Sequence, residues 1–204
     1  MGNVLRGLGV FAMFVVLLLF PSVSSSPYGL GNEANEGCLC HSRMDATDVN
    51  LIGLPSKYEA NTTYALTLVM SSSIGAEAGQ SQGGFRIMVS NGTMLFNDTE
   101  AQEMDDGWTH LENGTYQRSW NFSWTSPEDN TSRSEFMVFG NAVNGNGEQT
   151  GDGWNEYSII LPGTEHKGDL GNVESFNGLG AFDKILLLVG LCALVGMLWS
   201  VGRS

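Results

Sequence analysis

Ser119-Trp120-Asn121-Phe122-Ser123-Trp124 puts its large aromatic residues at every second position and small polar residues between them. Side chains alternate faces along an extended chain. The pattern therefore predicts a half-buried strand over Thr115 to Trp124, and a strand with such a face needs a second layer to cover it. The same period recurs in Thr47 to Ile52 and in Thr63 to Met70. It returns in Gly83 to Ser90 (Phe85, Ile87 and Val89 on one side), in Thr93 to Phe96 and in Glu156 to Leu161. Glu135 to Phe139 is apolar on both faces, as a central strand is. Asn91-Gly92 is a strong hairpin signal and predicts that Gly83 to Ser90 pairs with Thr93 to Phe96. Asn97 to Gly107 reads as an acidic loop, and Trp108 to Leu111 as a short ordered segment. No amphipathic helix is evident. Seven or eight short strands separated by turn signals predict an all-β fold, an antiparallel β-sandwich over residues 47–162.

The chain ends are of another kind. Residues 1–26 carry Arg6, an apolar run from Val10 to Phe20 and then Pro21 with small residues, which reads as a signal peptide. Residues 27–46 form a Gly/Asn-rich lead-in that contains the Cys/His stretch. Residues 163–184 form a polar linker. Residues 185–202 hold no charge and are bracketed by Lys184 and Arg203, which predicts a transmembrane helix, or a sorting tail that is cleaved. The expected product is a single-pass membrane protein with its domain at the cell surface. A formal net charge of −13, with 9 basic against 22 acidic residues, argues against a nucleic-acid partner. Asn61, Asn91, Asn97, Asn113, Asn121 and Asn130 each open an Asn-X-Ser/Thr triplet, which suits a glycoprotein.

Chemistry concentrates in Gly37-Cys38-Leu39-Cys40-His41. Thiolate and imidazole are ligands for zinc, copper and iron. Covalent haem attachment uses two cysteines separated by two residues and followed by histidine; here the gap is one residue shorter. Three readings compete. Cys38, Cys40 and His41 hold a transition metal or haem with a distal ligand; Cys38 and Cys40 form a small, reducible disulfide; or the stretch is a structural staple or structural zinc site. His110 is the natural distal ligand, while His166 is expected to be solvated. Met44, Met88 and Met104 offer thioethers, although methionines more often fill cores. Cys192 falls inside the apolar tail. Asn141, Asn144 and Asp152 lie in an oxygen-rich loop that suits calcium, although turn chemistry explains its Asn-Gly pairs equally well. No hydrolase or nucleotide motif is present and no catalytic residue is expected.

Gly37-Cys38-Leu39-Cys40-His41, Gly53-Leu54-Pro55 with Tyr58, Gly83-Gly84-Phe85 and Thr109-His110 recur together with Trp120 to Trp124 and Pro127. Gly140-Asn141-Ala142-Val143-Asn144-Gly145 before Gly151-Asp152 completes the set. Over roughly residues 37–160 the chain resembles the reelin-domain-like group called choice-of-anchor V, especially its archaeal surface members. The resemblance implies a secreted reelin-like sandwich with a variable C-terminal anchor. Many relatives carry the full Cys-X-X-Cys-His haem signature, which implies His41 as the proximal and His110 as the distal ligand. The shortened spacing departs from that signature. The expected role is electron transfer or metal handling with an unidentified redox partner; the alternative is a surface binding or adhesion module with the cysteines as a staple.

Overall fold

The computed structural model describes residues 27–38, 41–148, 150–171 and 181–202. The signal peptide expected over 1–26 lies outside the described residues. Ten strands follow in order: β1 (Ser42–Arg43), β2 (Thr47–Ile52), β3 (Thr63–Ser72), β4 (Gly83–Val89), β5 (Thr93–Phe96), β6 (Ala101–Met104), β7 (Gly107–His110), β8 (Ser119–Thr125), β9 (Arg133–Ala142) and β10 (Gly153–Pro162). They form a six-stranded sheet in the order β1-β10-β9-β4-β7-β6 and a four-stranded sheet in the order β2-β3-β8-β5. The expected β-sandwich is present.

The core is the meeting of the alternating faces. Trp120, Phe122 and Trp124 of β8 stand opposite Leu68, Leu66 and Tyr64 of β3. Across the sandwich they meet Phe85, Ile87, Phe136 and Val138, all buried. Phe96 stacks on Phe122 at 4.4 Å between centroids, and Trp124 meets Tyr58 and Phe136 edge-on. Both tryptophan nitrogens of β8 find a carbonyl, Trp120 Nε1 donating to Gly114 O at 2.8 Å and Trp124 Nε1 to Asn91 O at 3.2 Å. Burial of large aromatics with satisfied polar tips is the main source of stability here.

Three expectations change. Asn91-Gly92 does not close a hairpin: β4 pairs with β7 and β9, whereas β5 crosses to the other sheet and pairs with β8. Met94 and Phe96 bury their side chains by that crossing. The acidic stretch 97–107 is not all loop, because β6 and β7 pair through a two-residue turn. Asp105 and Asp106 adopt φ of 46° and 57°, the left-handed pair that a type I′ hairpin needs. The pairing is also not purely antiparallel, since β1 joins β10 in parallel register, Ser42 opposite Gly153.

The chain divides into two compact units, and the sandwich belongs to the unit spanning 25–176. The other contains helix α1 (Ala181–Gly202), which covers the expected membrane segment. Its described side chains from Ile185 to Trp199 are all exposed. Among the described residues no helix is long and apolar enough to cross a membrane, so the expected span at 185–202 is not shown.

Candidate functional site

The segment before β1 is a strap laid over the outer face of the six-stranded sheet. Leu30 N–H reaches Thr109 Oγ1 at 3.3 Å and Asn32 N–H reaches Asp105 Oδ2 at 3.2 Å. Asn35 Oδ1 accepts from Nε of Arg86 at 2.9 Å. Arg86 is buried, and its other nitrogens donate to the carbonyls of Met104 at 2.5 Å and Asp105 at 2.7 Å. Burial pushes its pKa down, against the opposing pull of Asp105, Glu33 and Asp106. A buried guanidinium with every edge engaged is a post that fixes the strap.

The strap delivers the Cys/His stretch to β10. Gly37 has φ of +112°, and a Cβ there would lie 2.6 Å from Cζ2 of Trp154, so only glycine passes this close to the indole. Trp154 Nε1 donates to His41 O at 3.0 Å, and His41 N–H donates to Cys38 O at 3.0 Å. Cys40 lies outside the described residues; Cys38 is half-buried. The imidazole of His41 is 8% exposed and its Nδ1 lies 3.3 Å from Oδ2 of Asp152, itself 4% exposed. That nitrogen is fully buried and makes no directed hydrogen bond, so the carboxylate faces it at ion-pair range without ideal alignment. Oδ1 of Asp152 is held by Asn144 N–H at 3.0 Å.

His110, at the end of β7, stands in for a missing rung of the ladder. Backbone pairing of β4 with β7 covers only Arg86 and Ile87. One residue earlier, Phe85 N–H donates to His110 Nδ1 at 3.1 Å, and Thr109 Oγ1 donates to Phe85 O at 2.9 Å. The ring fills the space that a side chain at Gly84 would take, since a Cβ there would lie 2.7 Å from Nδ1. Gly84, Asn141 and Trp154 are in register across β4, β9 and β10 and share one face. An Nδ1 that accepts from Phe85 leaves the proton of a neutral ring on Nε2, where it blocks metal binding. Ligation by Nε2 needs the other tautomer, with Nδ1–H turned to Phe85 O at 3.3 Å. Among the described residues no three His, Cys, Asp or Glu side chains converge on a common metal-sized centre.

The residues considered for calcium do not share one centre in the hydrogen bonds they make. Asn144 Oδ1 accepts from Asn146 N–H at 3.0 Å and its Nδ2 donates to Thr150 O at 3.1 Å. Asn141 sits on β9, where its Oδ1 is buried without a hydrogen-bond partner. Of the thioethers, Met88 is buried in the sheet, and Met44 packs beside Gly153. His166 is not free in solvent as expected, because its Nδ1 lies 2.7 Å from Thr131 O. Asn61, Asn91, Asn97, Asn113 and Asn121 are exposed, whereas Asn130 is half-buried with its Oδ1 accepting from Ala60 N–H at 2.5 Å. Cys192 is exposed on α1. Sequence reasoning missed Asp152 as the neighbour of His41 and Arg86 as the post of the strap. Only their unusual burial, invisible in the sequence, marks them.

No family model matches the sequence, and no curated protein matches it. Among solved structures the chain is similar to the Reelin-N domain of F-spondin, at 15% identity and a TM-score of 0.39 over 61% of this chain and 89% of that one. The human F-spondin reeler domain gives 14% identity and a TM-score of 0.40, over 61% of this chain and 91% of that one. A conjugate transposon protein from Bacteroides vulgatus gives 13% identity and 0.37, over 62% and 93%. These matches assign the chain neither a family nor an activity, and choice-of-anchor V is not among them.

Proposed function

We propose that the chain is a membrane-anchored, extracytoplasmic β-sandwich whose Cys/His stretch holds a transition metal or haem iron, for electron transfer or metal handling. The observation that carries this is His41, a buried imidazole beside a buried carboxylate, one residue from Cys40 and three from Cys38. Metal-ligating histidines are oriented by such carboxylates. Cys38, Cys40 and His41 would hold the group, with His110 as a second ligand only in its Nδ1–H form. When bound, a thiolate- and imidazole-held metal supplies one-electron exchange or Lewis acidity. The donor set fits such a metal, or haem attached through Cys40 alone. It does not fit haem held by two thioethers, because one residue separates the cysteines where two are needed.

Anchoring is supported by the sequence of the tail, where residues 185–202 hold no charge and are bracketed by Lys184 and Arg203. Ile185, Leu186, Leu187 and Leu188 follow one another at about 100° steps round the helix and are all exposed, and a helix apolar all round calls for lipid or protein around it. Exposed sequons fit an exported glycoprotein of the choice-of-anchor V kind.

Elemental analysis and an absorption spectrum of the purified protein, matured in an exporting host, test the metal centre. Stoichiometric metal or a Soret band is expected; neither appearing sinks the proposal. A second reading, a surface binding module with the cysteines as a staple, is favoured by the exposed Ile52 and Leu95 on the outside of the β2-β3-β8-β5 sheet. A 38–40 peptide two hydrogens lighter by mass spectrometry would support it.

A further inference from the structure

We infer that Asp152 is the positioning residue of His41: it fixes the proton on Nδ1, so that Nε2 is the nitrogen left for a metal. The inference rests on the metal reading above. A neutral imidazole carries one proton on one of two nitrogens, and the acceptor beside it decides which. Nδ1 of His41 is buried, and the carboxylate of Asp152 is 3.3 Å away. Asp152 cannot readily swing aside, because its Oδ1 is tied to Asn144 N–H at 3.0 Å.

The backbones that carry the two groups are locked beside each other. Ser42 pairs with Gly153, and Trp154 Nε1 holds the carbonyl of His41, so residues 41 and 152 are each one step from a paired position. The nearby cation does not compete for the carboxylate, since Arg43 pairs with Glu156 at 2.9 Å. At 3.3 Å the two atoms are close enough for a directed Nδ1–H···Oδ2 bond once ring and carboxylate align. The same geometry gives Asp152 a task other than calcium binding.

The test uses the whole protein in detergent, ¹⁵N-labelled and stripped of metal by a chelator, at a pH where imidazole is neutral. Long-range ¹H–¹⁵N spectra report the tautomer, and His41→Gln identifies the signal. The Nδ1–H form is expected in the wild type. Asp152→Asn presents an amide NH₂ and should turn the ring toward Nε2–H; Asp152→Ala should leave a mixture. Titration with Zn²⁺ alone should show affinity falling about 10- to 100-fold in both variants. An Nε2–H wild type overturns the inference without any variant having to fold, and so does unchanged tautomer and zinc affinity in both folded variants. A wild type that takes up no zinc and, as purified, carries neither metal nor a Soret band, but shows Nδ1–H, overturns the metal reading and leaves the positioning by Asp152 supported.

Discussion

His110 shows how one side chain serves two demands. Its Nδ1 takes the N–H of Phe85 where the β4–β7 ladder stops. Removing it leaves a part-buried donor without that partner. His110→Ala should therefore destabilise the sandwich by about 1–3 kcal/mol, read by denaturant unfolding; a change in metal content without loss of stability would instead make it a ligand. Asp129 makes a prediction about pH. Its carboxyl is held below the usual range first by the Thr131 hydroxyl, then by the backbone N–H groups of Ser132 and Thr131. A depressed folded value adds stability that is present above the unfolded value of about 3.9 and is lost as pH falls through the folded value. Melting curves between about pH 2 and 5 should fall less steeply for Asp129→Ala than for the wild type. The sequence marked His41 by its spacing from the cysteines, and His110 by its place before the strongest strand and by the family resemblance. It carried no sign of Asp152 against His41, because the pair is 111 positions apart and is made by the parallel β1–β10 contact.

The strap is the element whose placement matters most to the site. It has no regular structure beyond a single 3-10 turn at Asn32–Ala34, so its position depends on what it is tied to. Arg86 ties it, through Asn35 and the carbonyls of Met104 and Asp105. Arg86→Met keeps most of the volume and leaves those acceptors buried and unpaired. A loss of about 3 kcal/mol is expected, with new proteolytic cuts within 27–38 appearing before the sandwich unfolds; uniform cutting across the chain would show that the strap is not separately held. The strands were readable because period-2 burial is written directly into β2, β3 and β8. The hairpin at Asn91-Gly92 was not. A turn dipeptide specifies that the chain reverses, whereas the choice of sheet depends on which face Met94 and Phe96 can bury. β6 was hidden for a related reason: Gln102, Glu103 and an Asp-Asp turn look like solvent-exposed loop until the strap and Arg86 give them neighbours.

At the scale of the molecule the sandwich and the tail belong to two separate units. Residues 25–176 form one compact unit around Trp120, Trp124 and Phe136, while α1 exposes apolar side chains from Ile185 to Trp199. Exposed leucines at this density are costly in water, at about 25 cal/mol for each Å² of apolar surface, which is the physical ground for the anchoring proposed above. Within the sandwich, Trp124→Ala should cost about 3–5 kcal/mol, because Trp124 meets Tyr58, Tyr64 and Phe136 at once. The tail is a separate matter. A fragment ending at Gly171 keeps every strand of both sheets, so it should melt at the temperature of the full chain's domain and stay in the supernatant. The full chain should remain in the membrane pellet after alkaline carbonate extraction, unless the tail is cleaved on export. A full-length chain released by carbonate would show that α1 lies on the membrane surface or against another protein instead of crossing, whereas loss of folding in the fragment would show that the sandwich depends on its tail.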